Sequence, residues 1–305
     1  MLVMTSLALQ QHPVFTQACR AIGAQAGTVH VAGEPVQILH RRLPGLGQVA
    51  LASRCAVGPG ALRQALRQDT VARHIVINAE RGGFGRAYLR AGFFPLLTPA
   101  THAVLPLGAV RDTRLAAAHQ KWRNRLRHAQ AQHLRLARRP LPDPQAGWLL
   151  QADAAQQRAR GYRSYPSALI LALGEQSRNA VQLFTAAQGD AIVAAMLFVL
   201  HGQGATYLTG HTNAQGKATS AHNLILWEAA GWLSAQGICQ LDLGRIDTVH
   251  GPGLARFKLG AGAQAHRLGG SWLYTPALAP LARIWPTKGR PVDPDHCAAP
   301  PYADQ

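Results

Sequence analysis

Residues 221–258, AHNLILWEAAGWLSAQGICQLDLGRIDTVHGPGLARFK, decide the reading of this chain. The apolar positions Leu224, Leu226, Trp227, Ala230 and Leu233 predict a helix that runs to Gly237. Residues 238–243 predict a short strand carrying a single acid, Asp242. Gly244, Gly251 and Gly253 then predict a bend that delivers Arg256, Phe257 and Lys258. A helix, a strand and a loop in this order is how an α/β protein mounts polar groups at a strand's end, so the chemistry is expected here.

Downstream, residues 264–274 read as extended, and the segment after Trp285 is rich in Pro, Asp and Ala and is expected to pack poorly. Upstream, residues 181–187, 192–200 and 205–210 are apolar runs separated by Gly189-Asp190 and Gly202-Gln203-Gly204, which predicts an antiparallel meander. Residues 148–161 read as a helix, and Tyr162 to Pro166 as a loop whose two tyrosines either pack or line a pocket. Residues 140–144 (PLPDP) cannot continue a helix and read as a linker. Residues 112–139 are the most basic segment. Leu115, Trp122, Leu126 and Ala129 can share one face, with Lys121, Arg123, Arg125 and Arg127 outside, which predicts one amphipathic helix with a cationic surface. That surface is either solvated or a site for an anionic substrate or an RNA backbone.

The first hundred residues predict a helix over 13–22, strands over 28–32, 36–41 and 48–54, a helix over 59–68, a strand over 74–78, a short helix over 85–91 and an extended stretch over 93–107. The fold class is therefore α/β (α+β), with helices around a mixed or antiparallel sheet in each half. The expected domains are 1–139 and 140–285, followed by a tail over 286–305. A duplicated architecture fits this pattern, without a clean internal sequence repeat.

With 48% hydrophobic and 15% charged residues over 305 positions, the chain reads as globular rather than disordered. Thirty-one Lys and Arg stand against 14 Asp and Glu, a formal charge of +17, which either attracts phosphate-bearing partners or reflects composition. Cys19, Cys55, Cys239 and Cys297 have no zinc-site spacing, and the 14 histidines form no HExxH motif, so no metal is expected. The opening residues lack a basic leader, and no apolar run reaches the roughly 18 residues that a spanning helix needs. A soluble cytoplasmic protein is expected, and oligomeric state is not legible.

Two glycine-containing turns, residues 81–86 (RGGFGR) and 213–218 (NAQGKA, with Gln215, Gly216 and Lys217), are candidate anion cradles. Neither matches the GxGxxG or GxxxxGK[ST] pattern. There is no GxSxG nucleophile elbow, and nothing fixes a separation between Asp242 and Asp247 that carboxylate chemistry would need. Lys258 reads either as a surface lysine or as an ammonium that stabilises a developing oxyanion. Asp242 reads either as a strand-end acid or as a group that orients an amine or the lysine.

The segments NLILWEAAGWLSAQG, CQLDLGRID and GPGLARFKLGAG together resemble the second domain of FemAB-like acyl and aminoacyl transferases. RAGFFPLLTPATHAVLPL, followed by HQKWRNRLRHA, is similar to the ending of that family's first domain. The resemblance implies two tandem acetyltransferase-type (GNAT) domains, each a mixed, mostly antiparallel sheet flanked by helices. It also implies catalytic roles for Phe257 and Lys258, with the lysine stabilising the tetrahedral intermediate. Asp242 and Gly244 would shape the site, and Arg245 and Arg256 would bind anionic groups. Tyr207, His211 and Trp227 complete the candidate substrate-binding set; Gln215, Gly216, Lys217, Lys121, Arg123 and Arg127 are the candidate donor-binding set.

The function so implied is direct N-acyl transfer from an acyl-CoA-like thioester to the amine of a small molecule or peptide. The thioester donor is favoured because the chain is shorter than typical peptidoglycan-bridge enzymes and has no long helical arm for tRNA. The alternatives are an aminoacyl-tRNA-dependent ligase of the same fold and a non-catalytic binder of RNA or an anionic surface.

Overall fold

The computed structural model describes residues 7–69, 72–108, 110–161 and 164–285. The expected loose tail over 286–305 with Cys297, the first six residues and Tyr162 lie outside them. In chain order, a 3-10 turn (Leu9–Gln11) and α1 (Pro13–Ala21) lead into three strands, β1 (Gln25–Val31), β2 (Glu34–Leu43) and β3 (Gly47–Cys55). Then come α2 (Pro59–Asp69), β4 (His74–Ala79), α3 (Gly85–Arg90), β5 (Phe93–Leu97) and β6 (Thr101–Pro106). The middle of the chain holds α4 (Arg111–Ala117), α5 (Gln120–Gln130), β7 (Arg135–Pro140), α6 (Pro144–Arg160) and α7 (Ser167–Gln176). The meander follows as β8 (Val181–Gln188), β9 (Ala191–His201) and β10 (Gly204–Thr212). Last come α8 (Ala214–Ala218), α9 (Ala221–Ala235), β11 (Gln240–Ile246), α10 (Pro252–Gly260), β12 (Gln264–Arg267), β13 (Ser271–Tyr274) and α11 (Ala279–Ile284).

The architecture is mixed α/β, with two mostly antiparallel sheets flanked by helices. One sheet has the order β1-β2-β3-β4-β13-β5, the other β12-β6-β11-β10-β9-β8-β7. Each contains a parallel pair joined by a helical crossover: β3 with β4, and β10 with β11. Read from β5 and from β12, the two orders correspond strand for strand over six positions. The duplication is thus one of topology, which explains why no sequence repeat announces it.

The described residues form two compact units, a larger one over residues 7–27 and His102–Gln264 and a smaller one over Thr28–Thr101 and residues 265–285. The boundary expected after residue 139 does not coincide with either junction. Residues 140–144 lie inside the larger unit: Leu141 is 3% exposed and donates its N–H to Val181, and the Asp143 carboxylate caps α6 by accepting from the Gln145 N–H. Three prolines that no helix could continue through need not free the chain.

The single basic helix expected over 112–139 is two helices and a strand. The backbone extends at Ala118 and His119, where the His119 N–H donates to Gly260, and it turns left-handed at His133 (φ 51°). The RLARRP run then pairs antiparallel with β8. α7 was not anticipated; Leu169, Ile170, Ala172 and Leu173 bury it. α9 forms where expected, but burial extends past the apolar stripe to Ala221, Asn223, Ile225 and Ala229. It therefore packs on more than one side, and its Trp227 lies 6.5 Å from Trp122 of α5, ring to ring.

Candidate active site

The site starts from the alternation of β11. Leu241 and Leu243 point into the core of the larger unit, 0% and 1% exposed, so Asp242 stands on the opposite face. The adjacent strand, β6, alternates in step: Ala103 and Leu105 are buried in the same core, which sends His102 to the Asp242 side. His102 Nδ1 lies 3.1 Å from each Asp242 carboxylate oxygen. A carboxylate only accepts, so this ring nitrogen carries the proton when Asp242 is ionised. Asp242 Oδ1 also accepts the Gly244 N–H at 2.7 Å. Gly244 itself has φ +80°, a left-handed conformation that glycine adopts without steric cost.

Asp242 also marks the place where β10 becomes irregular. The parallel ladder pairs Gly204 with Gln240, Ala205 with Leu241 and Thr206 with Asp242, and β10 then carries a bulge between Tyr207 and Thr209. A bulge re-aims the side chains that follow it. Tyr207 folds back over Gly210, where a Cβ would meet its hydroxyl at 2.7 Å. His211 presents its ring edge-on to Trp148 at 5.4 Å, and its carbonyl accepts from the His222 ring at 3.0 Å.

The expected glycine bend is only partly a bend. Gly244 belongs to β11, and Pro252, at a first-turn position, opens α10, which carries Arg256, Phe257 and Lys258. Lys258 is 5% exposed, not the surface residue that sequence physics favoured. Its Nζ donates to the Arg245 carbonyl at 2.8 Å. A Cβ on Gly244 would lie 3.8 Å from Nζ, so the glycine keeps the space beside the ammonium open. Burial lowers the lysine from 10.5 to about 8, against the opposing pull of the Asp242 carboxylate. Phe257 is half-buried and faces the His222 ring at 6.2 Å, while Arg245 and Arg256 are exposed.

The structure therefore brings together Asp242, Gly244, Arg245 and Lys258, and it adds His102, which sequence reading missed. The available signal was the alternation of His102 and Val104 with Ala103 and Leu105; what was missing was the pairing of β6 with β11 across 140 residues. Trp227 goes elsewhere. It is 7% exposed and lies in the core, with the Arg111 guanidinium 5.4 Å from its ring centre. Because α9 is buried on several sides, an aromatic on it packs rather than lines a site.

The donor-binding candidates separate in the same way. Gln215, Gly216 and Lys217 lie on α8, where the Gly216 N–H is taken by the Asn213 side chain at 2.8 Å. A Cβ at Gly216 would be 2.3 Å from the Val193 carbonyl oxygen, so the turn is sealed against β9. On α5, Arg123 donates to the carbonyls of Ala116 and Ala118 at 3.2 and 3.1 Å and thereby braces the junction with α4. Lys121 and Arg127 are exposed. Among the described residues, no three His, Cys, Asp or Glu side chains are grouped to hold a metal ion.

The two sheets with their helical crossovers are an acetyltransferase-type (GNAT-like) fold. Residues 116–264 match the model of the acetyltransferase (GNAT) domain family, and the fold is similar to those of a FemAB-type protein and of tandem GNAT proteins. The crystal structure of FemX superposes with a TM-score of 0.70 at 14% identity, covering 91% of this chain and 94% of that one. The C-terminal domain of a protein described as a lysylphosphatidylglycerol synthetase, from Agrobacterium fabrum, gives 0.58 at 13% identity, covering 91% and 92%. A tandem GNAT protein from the clavulanic acid biosynthesis pathway gives 0.50 at 12%, covering 88% and 90%. No curated protein sequence matches the chain.

Proposed function

We propose that the larger unit transfers an acyl group directly from an activated ester to an acceptor amine, with Lys258 stabilising the oxyanion. The carrying observation is a buried lysine of lowered pKa, held on the rigid helix α10 beside the end of a parallel strand pair. The amine nitrogen attacks the donor carbonyl, a C–N bond forms, and the negative charge develops on the carbonyl oxygen. The Lys258 ammonium, one proton of which is engaged by Arg245, donates another to that oxygen. Collapse breaks the bond to the leaving group, which departs with the proton lost by the amine. Asp242, fixed by His102 and the Gly244 N–H, holds the lysine in its charged form.

An aminoacyl ester is the donor that the geometry supports better, in place of the thioester that chain length favoured. The α8 turn, the nearest approach to a pyrophosphate loop in this unit, has its Gly216 N–H occupied and no space beside it. The likeness to FemX and to a protein described as a lysylphosphatidylglycerol synthetase supports the same reading. The thioester remains the second reading, favoured by the match to the acetyltransferase domain model. Titrating charged tRNA and acyl-CoA at two salt concentrations separates them. An RNA that neutralises several phosphates loses affinity steeply, with a log–log slope of roughly −0.7 to −0.9 per contact, whereas a CoA ester gives a shallow slope. Tight, weakly salt-dependent binding of acyl-CoA with no binding of tRNA would reverse the assignment.

The proposal also fixes a pH limb. The ammonium is present below a pKa of about 8 and is lost as pH rises through it. Transfer at saturating donor is therefore expected to decline above about pH 8. Lys258→Arg, which stays charged to beyond pH 12, is expected to remove that decline from whatever activity it retains. An unchanged alkaline limb in Lys258→Arg would assign the limb to another group.

A further inference from the structure

The correspondence of the two strand orders shows what occupies the position of the candidate active site in the smaller unit. In the larger unit, the β10–β11 ladder reaches Thr206 with Asp242 and a bulge follows; in the smaller unit, the β3–β4 ladder reaches Ser53 with Asn78 and a bulge follows. Asn78 thus replaces Asp242. Beside it, β13 supplies Ser271, whose hydroxyl donates to Asn78 Oδ1 at 2.7 Å, where β6 supplies His102. The helices after these strands, α3 and α10, are each followed by a left-handed glycine, Gly92 (φ 87°) and Gly262 (φ 94°). Four residues before each stand Tyr88 and Lys258, 3% and 5% exposed. An amide, a hydroxyl and a phenol have taken the places of a carboxylate, an imidazole and an ammonium.

The charged machinery is absent from these positions, yet an opening persists. A cavity of about 50 Å³ lies at the ends of β3 and β4, lined by Cys55, Gly58, Ala79, Arg81, Phe84 and Tyr88 among others. That volume accommodates a few water molecules, or one compact polyatomic anion. We infer that this cavity is a second ligand site, which binds a phosphate group carried on a flat apolar moiety and performs no transfer.

The lining chemistry selects that ligand. Arg81 stands three residues after Asn78, as Arg245 stands three after Asp242, and a guanidinium meets phosphate through paired hydrogen bonds. The neighbouring carboxylate does not oppose an anion. Glu80 is engaged by Arg54 Nη2 at 2.9 Å and by His266 at 3.5 Å. Burial pushes the Cys55 thiol up to about 11, so it is uncharged at neutral pH. Phe84, 54% exposed, offers a flat apolar surface at the rim. The position that corresponds to Lys258 carries the Tyr88 phenol in place of an ammonium and that of Asp242 carries an amide, so occupancy, not turnover, is the expected behaviour.

Calorimetric titration of the full chain with phenyl phosphate, inorganic phosphate and phenol tests the assignment. Phenyl phosphate is expected to bind with one-to-one saturation, more tightly than either fragment. Arg81→Ala is expected to weaken phenyl phosphate about tenfold or more, and Phe84→Ala to weaken phenyl phosphate while leaving inorganic phosphate unchanged. Both residues are exposed, so neither change threatens folding. Lys258→Met is expected to leave the titration unaltered, which keeps this result independent of the transfer proposal. Absence of saturable binding, indifference to Arg81→Ala, or loss of binding in Lys258→Met would each overturn the site.

Discussion

Lys258→Met is expected to reduce transfer by about 10²–10³-fold in kcat and, in the same protein, to raise the unfolding midpoint. The first effect follows from the proposed role: one donor to a developing oxyanion is worth about 3–4 kcal/mol. The second follows from burial. A lysine whose pKa falls on folding is a group whose charged form the fold disfavours. Below about pH 8 the ammonium is present in both states and its desolvation weighs against folding; as pH rises toward the unfolded value of 10.5, that penalty disappears. Methionine fills a similar volume with no charge to desolvate, so its stabilising effect is expected at pH 7 and should shrink by pH 10. A denaturant series at both pH values, beside single-turnover assays, reads the two effects separately. Normal turnover in Lys258→Met would end the proposed role, and a stability loss at pH 7 would mean that the bond to the Arg245 carbonyl outweighs desolvation.

How much of this site was legible depended on the range of the interactions that build it. Local patterns carried far: the stripe of α9, the meander β8 to β10 and the alternation of Leu241, Asp242 and Leu243 are short-range periodicities, and the elements formed within a few residues of expectation. The environment of Lys258 was not local. Sequence physics favours a surface lysine after a glycine bend, because burial of an ammonium is rare and costly. What buries it is the conversion of residues 252–260 into a helix and the folding of that helix against β11, where the Arg245 carbonyl receives Nζ. His102 was invisible for the same reason: its partner is 140 positions away.

The basic segment failed differently. Composition correctly marked residues 112–139 as cationic, but charge does not distinguish a helix from an edge strand, and the RLARRP run pairs with β8 instead of extending α5. Arg123 shows the further limit of reading charge as function, since its guanidinium is committed to the carbonyls of Ala116 and Ala118. The resemblance to FemAB-like transferases supplied what periodicity could not, namely that two topologically equivalent sheets should be sought.

Gly216→Ala is expected to be among the most destabilising single methyl additions in the larger unit. The new Cβ would stand 2.3 Å from the Val193 carbonyl oxygen and 2.4 Å from the Thr212 hydroxyl oxygen. The hydroxyl can rotate away; the carbonyl belongs to β9 in the interior of the seven-stranded sheet, and Val193 is 0% exposed. Relief requires α8 to lift, which would break the Asn213 cap and disturb the entry to α9. Overpacking of this kind costs about 3 kcal/mol or more, a drop of roughly 6–12 °C in the unfolding midpoint for a unit of this size. The same substitution decides why the glycine is there. If the turn is sealed for packing, the alanine variant loses stability, while its folded fraction keeps the donor KM of the parent and the exposed Lys217→Ala changes neither quantity. If the turn cradles a pyrophosphate, Gly216→Ala and Lys217→Ala raise the donor KM together with little change in midpoint, and the thioester reading of the donor returns.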